Sequence, residues 1–261
     1  MTSLAEAPTA GATVATHLRG DGPVLVVGGF ATPALMLTPM CQWLTRCGYD
    51  VVPTALGAGM GCGGQASDLL VTRIERIAER TGRPVRLVAH SRGGQFARAA
   101  CVRRPRDVAG LVTLGTPFDL YGLSWPLLSA AATVSALGSL GVPRLARLGC
   151  LRGSCCARFR AALRGPWPAG VPFTSVYSRT DRSVPAAASH DARATNVEVP
   201  ASHFGLLTGP DALLATAEAL AACRDGGSGE GPSPAVQEAV LREHDEPTEH
   251  DDEHHVEQSA S

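Results

Sequence analysis

"VRLVAHSRGGQFARAA", residues 85–100, is the stretch on which the reading of this chain turns. Val85, Leu87 and Val88 form a strand-like apolar run, the run breaks at Ser91, Gly93 and Gly94 follow, and a helix-like pattern begins. A strand that hands over to a helix through a protruding serine needs a strained turn, which brings the residues two before and two after into close approach. Both must be small, and here they are Ala89 and Gly93, giving the pattern A-x-S-x-G. The flanking His90 and Arg92 fall where backbone matters more than side chain, and His90 is expected to point away from the serine. A serine hydroxyl is a poor nucleophile unless a base removes its proton and a third group orients that base. The turn therefore has functional meaning only if a histidine and an acid arrive at neighbouring strand ends.

The surrounding sequence supplies such ends. Residues 23–222 alternate apolar β-type runs with helix-period stretches, the signature of a mainly parallel sheet with helices on both faces. Strands are expected at 24–27, 50–53, 85–89, 110–114, 173–177 and 196–199, and helices at 34–47, 66–81, 95–103 and 210–223. "NVEVPASHFGLL" places His203 in a short loop after the last strand. His190, in "ASHDAR", competes but precedes that strand and reads as a surface residue. "FTSVYSRTDRSVP" places Asp181 four residues past Tyr177, after the strand before the histidine's; Asp119, one strand earlier, is the alternative acid. "PVLVVGGFATP" ends the first strand in Gly28, Gly29 and Phe30. The amide of Phe30 and that of Arg92, at the start of the next helix, are the expected oxyanion donors.

The order Ser91, Asp181, His203 is that of an α/β-hydrolase. With "AHSRGG", "LGTPF", "YSRTDRSVP" and "SHFGLL", the stretch from about Pro23 to Cys223 resembles the α/β-hydrolase superfamily, most of all bacterial lipase/esterase-type members with an A-H-S-x-G-G elbow. The resemblance implies an α/β-hydrolase fold and ester hydrolysis through an acyl-enzyme, with Ser91, Asp181 and His203 as triad and the Phe30 and Arg92 amides as oxyanion hole. It implies a small-molecule or lipid ester as substrate and no cofactor. Two departures stand out: Gly28-Gly29 replaces the lipase-like His-Gly, and the region from Leu120 to Gly170 is long for a compact lipase. An acyltransferase or thioesterase would use the same triad, and a non-catalytic binding module would need none of it.

Four other features frame this reading. The chain has 261 residues, is 44% hydrophobic and carries a net charge of −1, all its basic residues being Arg. That charge is unevenly spread: residues 224–261 hold 11 Asp/Glu against two Arg, so they read as a disordered acidic, His-rich tail, with a short helix at 235–242. Residues 1–20 read as a flexible leader without a signal peptide, which points to a cytoplasmic protein, and no nucleic-acid partner is indicated. Residues 120–143 carry no charge after the alternate acid, contain Pro126, and are followed by Arg144, Arg147, Arg152, Arg158, Arg160 and Arg164. Residues 120–170 thus read as a cap with a solvated arginine face rather than a transmembrane span, and the 120–164 part also has the make-up for peripheral contact with an anionic membrane.

"GAGMGCGG", residues 57–64, contains a formal G-x-G-x-x-G through Gly59, Gly61 and Gly64, but no strand ends in an acid about 20 residues on, so it reads as a flexible loop. Eight cysteines in a chain of this type favour free thiols. In "CLRGSCC" the spacing Cys150-x4-Cys155-Cys156 has no nearby histidine and matches no standard zinc pattern, so no metal ligand is assigned, and a disulfide there stays open.

Overall fold

The computed structural model describes residues 14–54, 56–118 and 124–223. Asp119, the short helix expected at 235–242 and the acidic tail lie outside the described residues. Six strands form one all-parallel sheet: β1 (Pro23–Val27), β2 (Asp50–Thr54), β3 (Val85–His90), β4 (Val108–Leu114), β5 (Phe173–Tyr177) and β6 (Thr195–Glu198), in the order β2-β1-β3-β4-β5-β6. The helices are α1 (Thr38–Arg46), α2 (Gly63–Thr81), α3 (Arg92–Arg103), α4 (Trp125–Ser139), α5 (Gly149–Arg152), α6 (Ala157–Arg164), α7 (Ala186–Ser189), α8 (Gly205–Thr208) and α9 (Pro210–Ala222).

The two faces of the sheet sort by strand alternation. Leu25, Val27, Val85, Leu87, Ala89 and Leu111 pack under α2, α3 and α6, whereas Val24, Val26, Val88, Val112 and Leu114 pack under α1 and α9. Central β1 and β3 are buried along their whole length because helices cover both faces, while edge strand β2 tolerates Pro53 and β6 is partly exposed. The chain leaves β1 toward β2 and returns to β3 on the other side. The C-terminal ends of β1 and β3 thus flank a topological switch point, where open α/β sheets form their ligand crevice.

Three differences from the sequence expectation have physical causes. Residues 14–20 are not loose: Thr16–Leu18 forms a 3-10 turn, and Leu18 is buried against the α1/α9 side of the core. The expected cap at 120–170 divides in two. α4 lines the cavity at Ser91, while α6 is a body helix, with Phe159, Ala162 and Leu163 in the core against α2 and α3. The loop at 57–64 is held rather than free, with a 3-10 turn at Leu56–Gly59. No described helix is long and apolar enough to cross a membrane.

Two buried arginines fasten the body. Arg86 donates from Nε and Nη2 to the Cys223 carbonyl (3.1 and 2.7 Å) and from Nη1 to the Asp21 carbonyl (3.1 Å), joining the end of α9 to the entry of β1. Arg98 pairs with Asp191 (Nε–Oδ2 3.0 Å) and donates to the last carbonyls of α6 at Ala162 and Leu163 (3.1 and 2.6 Å). The Arg98 side chain is 1% exposed and that of Asp191 5%. Asp191→Asn leaves this cation buried without its counter-charge, so unfolding in urea is expected to show a loss of about 3–5 kcal/mol.

Candidate active site

Ser91 stands between β3 and α3 with φ 53° and ψ −129°, a conformation that a non-glycine residue adopts only when its surroundings enforce it. The Ser91 amide donates to the Leu114 carbonyl of β4 (2.8 Å), which anchors the turn to the sheet. The need for a small residue two positions on is literal: a Cβ at Gly93 would lie 2.5 Å from the Gly28 carbonyl oxygen. The loop after β1 therefore runs directly against the first turn of α3.

The structure brings the three expected side chains together. Ser91 Oγ lies 2.9 Å from His203 Nε2, and His203 Nδ1 lies 2.6 Å from Asp181 Oδ2. The other oxygen of Asp181 accepts from the Ser183 and Val184 amides at 2.7 and 3.0 Å, so the carboxylate is aimed from behind. Burial raises the Asp181 pKa, but the hydrogen bonds from His203 and Val184 outweigh it and hold the carboxyl below its ordinary 3.8. As an ionised acceptor, Asp181 requires a proton on Nδ1 and leaves the Nε2 lone pair free to accept from the serine. Ser178 ties the acid loop to the histidine loop: its Oγ accepts from the amides of Thr180 and Ala201, both at 3.1 Å. Gly115, from "LGTPF", lies beside this pair at φ 56°; a Cβ there would fall 3.2 Å from Asp181 Oδ2 and 3.3 Å from His203 Nδ1. His190 is exposed and packs edge-on against Tyr177, apart from Ser91.

The residues of the two expected oxyanion donors, Phe30 and Arg92, both line the cavity that holds Ser91. Arg92 is the first residue of α3, so its N–H has no carbonyl one turn earlier to bind and sits at the positive end of the helix dipole. The cavity, about 160 Å³, is walled on the far side by Leu127, Ala131 and Val134 of α4, positions four and three apart on one helix face.

Two side chains have roles that sequence reading missed. Arg92 donates through Nη1 and Nη2 to the carbonyls of Gly59 and Gly61 (3.1 Å for the latter) and lies over the Phe96 ring at 5.2 Å. The formal glycine motif is thus the seat of a guanidinium beside the elbow, and its carbonyls face a cation. His90 does not simply turn away. Its buried ring lies 4.7 Å from that of His203, and its Nε2 donates to the His203 carbonyl at 2.9 Å. The single sequence signal for both was their place next to Ser91.

No protein-family model and no curated protein matches the sequence. Solved structures do match. A Bacillus licheniformis lipase in its mature form superposes with a TM-score of 0.59 at 18% identity, covering 76% of this chain and 91% of the lipase. Aspergillus fumigatus lipase B gives 0.56 at 22%, covering 84% of this chain and 56% of that one, and a metagenomic carboxyl esterase gives 0.55 at 16%, covering 77% and 74%. The chain has the α/β-hydrolase fold, and its structural neighbours are lipases and esterases.

Burial, and next the adjoining His203, press the His90 pKa from the usual 6.5 down to about 3. Between those values the unfolded chain binds a proton that the folded chain refuses, so stability is full above pH 6.5 and falls as pH drops toward 3. His90→Asn is expected to flatten this part of the stability–pH curve in chemical unfolding; an unchanged slope would show that His90 titrates normally.

Proposed function

We propose that this chain is a serine hydrolase of carboxylic esters, of lipase or esterase type. The observation that carries the reading is the hydrogen-bonded run Ser91 Oγ, His203, Asp181 (2.9 and 2.6 Å) beside an apolar-walled cavity. Ser91 Oγ attacks the ester carbonyl as its proton passes to His203 Nε2. Asp181 holds the ring in the productive tautomer and stabilises the imidazolium. The Phe30 and Arg92 amides receive the oxyanion, and their fixed dipoles need no reorganisation as charge develops. His203 then protonates the leaving alcohol, and a water activated by the same nitrogen cleaves the acyl-enzyme. The acyl part occupies the cavity under α4, so the substrate is a small-molecule or lipid ester. No nucleic-acid partner and no cofactor enter this scheme.

Ser91→Ala is expected to abolish both turnover of a p-nitrophenyl ester series and labelling by a fluorophosphonate. Asp181→Asn should lower kcat by about 10⁴-fold through the wrong tautomer, and Phe30→Ala should change little because the donor is its backbone. Wild-type protein that takes no fluorophosphonate label would instead be a non-catalytic binding module. Ester products with an added alcohol in place of the free acid would identify an acyltransferase, and selective turnover of thioesters a thioesterase.

A second reading concerns where the substrate is met. The inner face of α4 lines the cavity, yet its outer side is also apolar: Trp125 is 84% exposed and Leu140, just past its end, 83%, while Arg144, Arg147, Arg158 and Arg164 are exposed nearby in sequence. An apolar helix followed by arginines suits peripheral contact with an anionic lipid surface. Vesicles containing anionic lipid are expected to retain the wild type in flotation and to lose a Trp125→Ala/Leu140→Ala double variant. Flotation indifferent to anionic lipid would sink this reading.

A further inference from the structure

Four sulfurs meet beside the active-site cavity, and the ester hydrolysis uses none of them. Cys62, Cys150, Cys155 and Cys156 place their Sγ atoms all within 4.8 Å of one another. Cys155 Sγ lies 3.8 Å from those of both Cys150 and Cys156, and Cys62 Sγ lies 3.3 Å from that of Cys156. A tetrahedral zinc ion with Zn–S bonds of about 2.3 Å sets its sulfurs about 3.8 Å apart along each edge. Disulfide-bonded sulfurs, by contrast, sit at about 2.05 Å. The described distances centre on the edge of a metal tetrahedron.

We propose that Cys62, Cys150, Cys155 and Cys156 form a four-thiolate site for one zinc ion, which fastens the segment after α4 to the body of the protein. The donor set suits the ion: four soft sulfurs in tetrahedral array and no carboxylate or imidazole among them select zinc over harder divalent cations. A closed set of four protein ligands leaves no open position, so the site is structural rather than catalytic.

The backbone around the sulfurs is built for this closeness. Cys62 immediately precedes α2, and a Cβ at Gly64 would fall 2.5 Å from the Cys155 carbonyl oxygen, so the two ligand segments touch only because that side chain is missing. The Ala146 amide donates to the Met60 carbonyl (2.9 Å), pairing the same two segments a few residues away. The Arg147 amide points at Cys150 Sγ (3.5 Å), the kind of N–H contact that supports a thiolate ligand. Arg160 donates to the carbonyls of Cys150 and Gly153 (3.0 and 2.8 Å), and Arg92 holds Gly59 and Gly61, so a guanidinium braces each half of the site. Zinc with four thiolates carries a net charge of −2, and these two cations offset it. Cys155 is exposed, which gives the ion a way in.

The position of the site gives it a purpose. Cys150 and Cys156 both line the cavity that holds Ser91. The ion would fix the part of the cavity wall that Cys150 and Cys156 form, where the chain between α4 and α6 has only the four-residue α5 and a short 3-10 turn at Ser154–Cys156 to stiffen it.

The test uses the full chain purified under reducing conditions without chelator. Elemental analysis is expected to find one zinc per chain, in wild type and in Ser91→Ala alike, so the result does not depend on hydrolysis. Replacement by cobalt(II) should give sulfur-to-cobalt charge-transfer absorption and the visible bands of a tetrahedral complex. The histidine-rich tail, lacking sulfur, cannot produce that charge-transfer signature. Cys62→Ser and Cys155→Ser should each lose the ion and its cobalt spectrum while Cys41→Ser keeps both; Cys155 is exposed, so its replacement leaves the core intact. Reduced wild type that binds cobalt without sulfur bands, iron in place of zinc, or peptide mapping of protein purified without reductant that shows Cys62–Cys156 and Cys150–Cys155 joined as disulfides would each overturn the proposal.

Discussion

Everything at the functional edge of this protein depends on the bent backbone at Ser91. A non-glycine residue at φ 53° and ψ −129° costs on the order of 1–3 kcal/mol and survives only where its neighbours leave no alternative. Those neighbours are specific. β4 holds the Ser91 amide, the carbonyl of Gly28 blocks any side chain at Gly93, and α3 starts at once with Arg92. One bend thereby fixes the serine oxygen toward His203, the first amide of a helix toward the cavity, and the Arg92 side chain toward the glycine loop. The strained turn and the charge-oriented network are one device, because the sheet that enforces the first also carries Asp181 and His203 on adjacent strand ends.

The succession of strands along the chain and the three side chains that meet at the candidate site were legible because they are written in local pattern. Apolar runs of period two or of unbroken length mark buried parallel strands, and Ser91, Asp181 and His203 each follow such a run by a few residues. The limits of the six strands agree within two residues of those read from pattern and those of the four expected helices within four, as terminal turns that depend on tertiary contact must allow. What escaped was whatever is made by residues distant in sequence. Cys62 joins Cys150, Cys155 and Cys156 across almost ninety positions, so "CLRGSCC" looked one ligand short. Arg92 gave no sign that its guanidinium would settle on Gly59 and Gly61, since nothing local distinguishes a side chain that seeks substrate from one that seeks backbone. The same limit concealed α6: its alternating arginines suggest a solvated cap, whereas Phe159, Ala162 and Leu163 between them are buried in the core.

The glycine motif at 57–64 has a role in the fold that its spacing alone did not announce. Its glycines are spaced as if to approach a phosphate, and close approach is indeed their role, but what approaches is protein. Carbonyls rather than amides face the arriving group, so the loop receives a cation. A motif defined by missing side chains reports that something comes near the backbone and leaves open what it is.

Arg86 has a consequence for how this fold can be written as a chain. A single guanidinium grips the carbonyl of Asp21, two residues before β1, and that of Cys223, one residue after α9. It does so at the N-terminal end of β3, the edge of the sheet away from Ser91. Entry and exit of the body therefore lie within the span of one side chain, as if the polypeptide were a ring with a cut in it. The cut is a matter of gene order and not of architecture: the two ends could be spliced there by a short linker and the ring reopened in a surface turn, keeping all six strands and giving up only the Thr16–Leu18 turn that packs on α9.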